Sequence, residues 1–429
     1  MQAQKVHGGE IPTLVSIDPH SSVVGQKDVH NRWHPDIPMI ATVQPGDIFK
    51  METHEWTGGQ IKNTDDANDI HQVDLTRIHN LSGPLRVEGA EPGDVLVVDI
   101  LDVQPFAHCT WGFTGIFDKA NGGGLFAKDL DSKACKAIWD FQGIYATSRH
   151  IPGVRFAGIP HPGLMGTMPS RELLLEWNRR ETGLIDLHRD EAGCQCVPPV
   201  ALAPEPKGAY VGQDIDDELR AKIYNEGART IPPRENGGNM DIKNLSRGSR
   251  AFLPVFVSGA GLSLGDLHFS QGDGELSFCG AIEMAGITTL KVDLIKNGVE
   301  KFAMTMPIFL PSPIDPIYAE KLVFQGISVD LHNGTGKQES MDATLAFKGA
   351  ARSCIAFLSK LGYTTEQAIL LLSAAPVDAH VAAIVDTPNA CVTMSLPTAI
   401  FERDIRPTSE GYEQTSYGQC ATAEASHTQ

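Results

Sequence analysis

The chain has 429 residues, enough for two or three domains or for one large body with insertions. Hydrophobic residues make up 41% of it, which suffices for a substantial core, and the 42 glycines and 27 prolines favour short strands and turns over long helices. The formal net charge of −18 argues against nucleic acids, anionic membranes and polyanionic substrates as ligands. A small neutral substrate would be indifferent to that charge.

The eight cysteines show no paired metal-binding or disulfide pattern, and the Cys194-x-Cys196 pair stands alone. The first ten residues lack the apolar segment of a signal peptide. The longest apolar run, Ala368–Ala375, is too short to cross a bilayer. These features predict a reduced, soluble, cytoplasmic protein.

A turn-and-strand pattern recurs along the chain after an initial strand at Pro12–Ile17. Val43–Glu52 and Glu91–Ile100 each begin with a turn containing Pro-Gly-Asp and continue as an apolar strand, and Leu264–Phe269 is a looser third version. Similar strand entries are typical of barrels and sandwiches. We therefore predict a mainly β fold of the α+β class, with a β-barrel or sandwich body.

Residues 105–230 differ in character and predict a mixed α/β insertion. It would lie between an N-terminal β-rich part (1–104) and a catalytic β-rich part (231–405). Helices are expected at Asp131–Phe141, at Ser170–Thr182 with Ser170 as N-cap, and at Asp216–Arg229. A passage rich in proline and alanine at 197–208 reads as a linker.

The C-terminal part predicts two helices that pack rather than react. Met341–Leu361 would end at Gly362, and Thr364–Ala374 would begin with a capping box formed by Thr364 and Gln367. Their apolar residues recur at helical spacing, which indicates a buried face. Residues 406–429 are polar and predict a mobile tail.

The richest group of ionisable side chains lies in Gly265–Glu283. Asp266 and His268 are two apart, so on a strand both point to one face. A Gly-Asp-Gly turn follows at residues 272–274, then Glu275 and a returning strand that ends at Glu283. We predict a β-hairpin in which carboxylates and an imidazole suit zinc or another divalent ion. Each residue alone is also compatible with a purely structural role, but burying four of them together without a function would be costly.

A second candidate loop contains Gly237-Gly238, which presents Asn239 and Asp241 two residues apart. The predicted strand Ala251–Gly259 separates this loop from the hairpin and would bring both to neighbouring strand ends. If the loop faces the hairpin, Asp241 completes a metal set with the hairpin's aspartate and histidine, and Asn239 orients a carbonyl.

Six phrases occur in an order that resembles the acetamidase/formamidase family, most closely its formamidase branch. They are NRWH at 31–34, PGD at 45–47, HEWTGGQI at 54–61, GPLRVEGAEPGDVLVVDI at 83–100, GGNMD at 237–241 and GDLHFSQGDGE at 265–275. The similarity spans roughly residues 5–405. Neither the Glu-Lys-Cys set of nitrilase-type amidases nor the Ser-Ser-Lys signature of another amidase class is found.

The resemblance implies hydrolysis of formamide to formate and ammonia, with other short aliphatic amides as poorer substrates. It also implies a β-rich body, a cytoplasmic homo-oligomer (a trimer or its multiple) and a divalent metal, foremost zinc. A metal held by Asp241, Asp266 and His268 would lower the pKa of a bound water. Glu275 or Glu283 would take the water's proton and deliver it to the departing ammonia.

The remaining candidate residues concern the substrate. Asn239, or backbone N–H groups at Gly237-Gly238, would stabilise the tetrahedral oxyanion. His34, Trp56 and His71 would line the substrate pocket, although each is equally compatible with a structural role.

Two alternatives compete with this mechanism. Cys279 is the cysteine within the hairpin and could be a nucleophile, but an apolar strand position usually gives an inert thiol. A non-catalytic β-sandwich module could use the same carboxylates to bind calcium, although His268 would be an unusual calcium ligand.

Overall fold

The computed structural model describes residues 10–119, 121–188, 204–332, 335–409, 411–412 and 414–423. The strands are β1 (Thr13–Val15), β2 (Val29–His30), β3 (Ala41–Val43), β4 (Ile48–Thr53), β5 (Leu81–Val87), β6 (Val95–Pro105), β7 (Trp111–Ile116), β8 (Cys135–Gln142), β9 (Tyr145–Ser148), β10 (Arg155–Ala157), β11 (His161–Gly166), β12 (Pro233–Arg234), β13 (Gly237–Asn239), β14 (Arg250–Pro254), β15 (Ala260–Gln271), β16 (Phe278–Met284), β17 (Gly286–Ile295), β18 (Ile308–Leu310), β19 (Lys321–Ile327), β20 (Asp378–Ala383), β21 (Cys391–Pro397) and β22 (Ala421–Thr422). The helices are α1 (Asn68–Gln72), α2 (Ala127–Leu130), α3 (Arg171–His188), α4 (Asp217–Glu226), α5 (Gly298–Lys301), α6 (Ala343–Leu361) and α7 (Thr365–Ala374), with short 3-10 helices at Leu75–Arg77 and Thr398–Ile400.

Three sheets organise the described residues. A six-stranded sheet has the order β1-β4-β17-β6-β14-β18, and a three-stranded sheet has the order β19-β21-β20. A thirteen-stranded sheet runs β10-β9-β8-β7-β16-β15-β11-β13-β12, with β5 also paired to β15 and with β2, β3 and β22 attached at its sides. In the part of the chain that the structure describes, neither large sheet closes into a barrel, so the predicted mainly β fold is confirmed in a sandwich-like form.

One hydrophobic core joins the two large sheets. Phe49, Val98 and Leu290 from the six-stranded sheet are fully buried in the same cluster as Leu85 and Leu264 from the thirteen-stranded sheet. Burying a side chain of this size stabilises the fold by about 1.5–3 kcal/mol. The two Pro-Gly-Asp turns have the same local structure. In each, the aspartate (Asp47 or Asp94) accepts a hydrogen bond from the backbone N–H of the residue three positions earlier, and a strand of the six-stranded sheet follows.

The predicted hairpin is confirmed and is central to the thirteen-stranded sheet. β15 pairs antiparallel with β16, and His268 lies directly opposite Glu283. Leu267 and Phe269 point to the other face and are buried in the core, as the alternation predicted. The alternation thus separates an apolar face from a face that carries ionisable groups.

The helix predicted at Asp131–Phe141 is wrong, because this segment contains β8. Residues 135–139 are all buried, and β8 pairs with β7 on one side and with β9 on the other. A short apolar run does not distinguish a buried strand from a buried helix, and two flanking strands satisfied its backbone here. The strand predicted at Ala251–Gly259 ends at Pro254 and lies in the six-stranded sheet, so it does not separate the second loop from the hairpin.

The other helix predictions are confirmed. The Ser170 hydroxyl accepts the N–H of Leu173 at the start of α3, and Asp216 caps α4. Gly362 ends α6 with a left-handed φ of 109°, a conformation that glycine adopts without steric cost. Thr364 begins α7 with the expected capping box.

Residues 105–230 and the C-terminal tail both contribute strands to the thirteen-stranded sheet. Strands β7–β11, which come from residues 105–230, pair within the same sheet as β15 and β16, and β22 of the tail pairs with β8. The domain boundaries and the mobile tail stay predictions. The Cys194 and Cys196 pair lies outside the described residues, while the six cysteines within them are free thiols. None of the described helices combines the length and apolar character that a membrane crossing requires.

Candidate active site

The site begins on the polar face of the hairpin. His268 Nε2 lies 3.3 Å from Asp266 Oδ1 and 3.1 Å from Glu283 Oε2. All three residues are buried, with at most 3% of their surface exposed. The backbone of Asp266 is left-handed, with φ of 56°, in the middle of a paired strand. Such backbone conformations are uncommon outside glycine and concentrate at functional sites.

Two more acids reach His268 from other segments. Asp241 follows β13, which pairs with β11, and β11 in turn pairs with β15. Glu275 comes from the hairpin turn. One ligand atom from each of Asp241, His268 and Glu275 lies within 4.8 Å of the other two, and the same holds for Asp266, His268 and Glu283. His268 therefore belongs to two overlapping groups that could hold a metal ion.

Gly163 of β11 makes room for this cluster. A Cβ atom at this position would stand 2.5 Å from His268 Cε1, 2.7 Å from Asp241 Oδ1 and 2.9 Å from Asp266 Oδ2. The Gly163 carbonyl also accepts the backbone N–H of Met240 and Asp241, at 2.9 and 3.1 Å. The missing side chain lets His268, Asp241 and Asp266 approach one point, and the two backbone hydrogen bonds fix the position of Asp241.

Several polar atoms at this point have no hydrogen-bond partner among the described residues. They are Asn239 Oδ1, Asp241 Oδ1, His268 Nε2 and Glu283 Oε2. His268 Nε2 and Glu283 Oε2 lie 3.1 Å apart without the geometry of a hydrogen bond. Buried polar atoms without partners are costly, and a set of oxygen and imidazole nitrogen atoms is the donor set that a divalent cation such as zinc takes. The residues present therefore fit a divalent metal ion.

The charged groups on the hairpin strongly shift one another's pKa values. Burial alone would lower the pKa of His268, but the carboxylates of Glu283 and Asp266 hold that pKa well above its usual value. Burial opposes ionisation of Asp266, yet the charges of His268 and His79 bring its pKa down to about 2. Burial raises the pKa of Glu283 to about 8 despite the opposing effect of His268.

The pKa values of the two acids from the other segments, Asp241 and Glu275, are both raised. Burial and the charge of Asp266 raise the pKa of Asp241 to about 7. Burial and then the charge of Asp241 raise the pKa of Glu275 well above its usual value. Four carboxyl groups around one imidazole cannot all ionise easily, because like charges at this distance repel. A bound cation would remove that conflict.

A cavity of about 570 Å³ opens from the cluster. Asp241, Asp266, Glu275 and Glu283 line one side, and Asn239 lies beside them. The other walls carry the apolar side chains of Trp56, Ile78, Leu125, Ile231 and Phe278 together with the polar ones of His79, Asp129 and Lys348. A cavity of this size can hold a small-molecule substrate, and its polar groups converge at one end.

The sequence-predicted substrate residues divide between this cavity and other places. Trp56 lies in the wall, and Gly238 is in β13, next to the cavity residue Asn239. His34 is buried elsewhere and contacts Glu226 at 3.2 Å, and His71 is largely exposed and pairs with Asp118. Neither His34 nor His71 lines this cavity.

Sequence reasoning missed other residues that contact the cluster. His79 lines the cavity with its Nε2 4.0 Å from Asp266 Oδ2. His161 and Gln271 contact the far side of the His268 ring, at 3.2 and 3.1 Å from its Nδ1. No local pattern distinguishes these residues from ordinary core residues. The one available signal was that Gln271 lies within the hairpin segment.

The geometry gives Cys279 little support as a nucleophile. Its side chain is buried, and burial raises the pKa of its thiol well above the usual value, an effect that the charge of Glu283 reinforces. Its sulfur lies 3.7 Å from Glu283 Oε1, and Cys279 does not line the cavity. A thiolate, the reactive form, is therefore strongly disfavoured.

Comparison with known proteins agrees with the sequence phrases. The chain is 55% identical over 383 residues to the formamidase of Methylophilus methylotrophus, covering 89% of this chain and 92% of that one. It is 54% identical to the acetamidase of Mycolicibacterium smegmatis, covering 87% and 92%. The solved gamma lactamase from Delftia acidovorans is 52% identical, with a TM-score of 0.91 over 96% of this chain and 100% of that one. Residues 16–403 match the profile of the Acetamidase/Formamidase family, and this chain belongs to that family.

Proposed function

We propose that the chain is an amidohydrolase that converts formamide, and more slowly other short aliphatic amides, to formate and ammonia by means of a metal-activated water. The family and the formamidase relative support the reaction. The observation that carries the mechanism is the buried cluster at the end of the cavity, where oxygen and imidazole nitrogen atoms without hydrogen-bond partners converge.

In this proposal Asp241, Asp266 and His268 hold a divalent ion, foremost zinc. Bound there, such an ion supplies Lewis acidity and lowers the pKa of a water toward neutrality. Calcium remains the alternative ion, but the imidazole among the donors favours zinc because calcium prefers oxygen ligands.

The remaining acids move protons. Glu283 Oε2 lies beside the His268 ring, and Glu275 lines the cavity from the hairpin turn. Either carboxylate can accept the proton of the attacking water and return it to the nitrogen as the C–N bond breaks. Water and formamide then give formic acid and ammonia without any further reactant.

Other residues bind and orient the substrate. Asn239 lies beside the acids with its Oδ1 free of partners, so this oxygen can accept an N–H of the amide. Trp56 lines the same cavity and offers its ring as an apolar surface beside the substrate.

The test is ammonia release from formamide by the protein as purified, after chelation, and after zinc is returned. We expect activity to disappear with the metal and to return with zinc. Glu275→Gln and Glu283→Gln then separate the roles, because the variant of the proton carrier keeps zinc and loses turnover. Activity that survives complete metal removal would contradict the mechanism. Chelation that unfolds a protein without amidase activity would favour the calcium-binding module.

A second candidate activity is lactam hydrolysis. A relative of known structure is a gamma lactamase, and the cavity of about 570 Å³ is many times larger than formamide requires. The apolar wall around Leu125, Ile231 and Phe278 would suit a hydrocarbon ring. Release of an amino acid from a γ-lactam, measured beside ammonia release from formamide, tests it.

We also propose that the chain forms a homo-oligomer, a trimer or its multiple, in the cytoplasm. Several large apolar side chains between residues 302 and 385 are well exposed, including Ile317 at 90% and Val385 at 79%. Exposed apolar groups of this kind support a protein interface. Light scattering on purified protein measures the subunit number, and a monodisperse monomer would contradict the assembly.

A further inference from the structure

Gln271 contacts two of the proposed metal ligands from outside the cavity. This residue ends β15 and is 1% exposed. Its Oε1 lies 3.1 Å from His268 Nδ1, and its Nε2 donates to the backbone carbonyl of Asp241 at 2.7 Å. One side chain thus joins the imidazole of His268 to the backbone that carries Asp241.

His161 supports the same imidazole from the neighbouring strand. It is fully buried in β11, directly opposite His268 in the β11–β15 pairing. The two rings are perpendicular, with centroids 5.0 Å apart. His161 Nδ1 lies 2.6 Å from the carbonyl of Ile159, and its Nε2 lies 2.9 Å from Gln271 Oε1. The same Nε2 lies 3.2 Å from His268 Nδ1.

These contacts determine which nitrogen of His268 faces the acids. Because the acceptor Gln271 Oε1 lies 3.1 Å from His268 Nδ1, this nitrogen carries a proton, and Nε2, which faces Asp266 and Glu283, is the nitrogen that would bind a metal ion. Outer partners of this kind fix both the tautomer and the ring orientation of metal-binding histidines. Neither Gln271 nor His161 lines the cavity, so neither is in position to contact the substrate.

We propose that His161 and Gln271 are positioning residues that preorganise His268 and Asp241 for metal binding. The inference rests on the proposed function, because it concerns the same metal site. The competing explanation is that both residues only satisfy hydrogen bonds in the core, in which case their loss would lower stability without a specific effect on the metal.

His30 is a matched control for the competing explanation. It is 1% exposed and lies in the same sheet. Its Nδ1 lies 2.8 Å from the carbonyl of Arg32, two residues along, and its Nε2 lies 2.9 Å from the Ser263 hydroxyl. His30 therefore makes the same kinds of contact as His161 but reaches none of the proposed ligands.

The experiment compares Gln271→Met, His161→Leu and His30→Leu with the parent protein. Zinc affinity is measured by competition with a coloured chelator, and the stability of each metal-free protein by urea unfolding. We expect Gln271→Met and His161→Leu to weaken zinc binding about 10- to 100-fold. His30→Leu should lose comparable stability and keep its zinc affinity within about twofold.

Two further measurements separate positioning from structure. His161→Gln retains an acceptor oxygen and should recover much of the affinity that His161→Leu loses. At saturating zinc, kcat for formamide should fall in Gln271→Met while KM stays close to the parent value. Zinc affinities that fall no further in Gln271→Met and His161→Leu than in His30→Leu would overturn the inference. A parent protein that binds no divalent ion would instead overturn the proposed function, and this inference with it.

Discussion

Substitution of Gly163 by alanine tests whether the five-residue cluster is the reaction centre. Gly163 lies in β11 without a left-handed φ, so its backbone tolerates any residue. The added methyl group would stand 2.5 Å from His268 Cε1, whereas ordinary van der Waals contact begins at 3.4 Å. The imidazole, or the strand that carries it, must therefore retreat by about 0.9 Å.

The same methyl group also meets the two aspartates. It would stand 2.7 Å from Asp241 Oδ1 and 2.9 Å from Asp266 Oδ2. Relieving the clash with His268 alone would therefore leave the aspartates displaced. A displacement of about 1 Å at a reacting centre can cost about 100-fold in rate. Overpacking of this kind costs about 1–3 kcal/mol in stability, which leaves a protein of this size folded.

The assay is ammonia release from formamide at saturating zinc, with zinc affinity and urea unfolding measured on the same samples. We expect Gly163→Ala to reduce kcat about 100-fold and to weaken zinc binding. Gly183→Ala is the control, because Gly183 is exposed in α3 with nothing within 4 Å of an added Cβ. It should keep full activity and gain about 0.5–1 kcal/mol in stability. Activity of Gly163→Ala within threefold of the parent would refute the assignment of the reaction to this cluster.

Four further outcomes are expected. His268→Ala should abolish both zinc binding and ammonia release, since this residue belongs to both metal-binding groups, and retention of either activity or zinc would contradict its role. Cys279→Ser should keep most of the parent activity, as measured by ammonia release, and a loss of more than 100-fold would revive the nucleophile hypothesis. The KM for formamide should be about 0.5 mM or higher, because three non-hydrogen atoms at about 1.5 kcal/mol each limit its binding, and a micromolar KM in steady-state kinetics would contradict this. Asp69→Asn should lower the free energy of unfolding in urea by about 3 kcal/mol, because the fully buried Lys136 ammonium loses its carboxylate partner at 2.7 Å. Lys136→Met removes the buried charge and should cost less. A larger loss for Lys136→Met than for Asp69→Asn would contradict this reasoning.

Local sequence signals predicted the elements whose structure depends on neighbours in the chain. The hairpin from β15 to β16 follows from strand alternation around a Gly-Asp-Gly turn, and this alone places Asp266 and His268 on one face. The helix caps at Thr364 and Gly362 could be predicted from the sequence because capping is a contact between residues three or four apart. Family membership was readable for a similar reason, since the phrases that carry it are short and contiguous.

The tertiary structure alone determined which distant residues complete the site. Asp241 reaches His268 because β13, β11 and β15 are neighbours in one sheet, an arrangement that no local pattern encodes. Gly163 and His161 enter the site through the same pairing of β11 with β15, and His79 reaches it because it precedes β5, which also pairs with β15. His34 and His71 lie elsewhere. Strand β8 shows the same principle in the fold, because its flanking strands and not its own residues excluded the helix. The local sequence thus determined the hairpin residues of the candidate site, and sheet pairing between segments far apart in the chain determined which other residues join them.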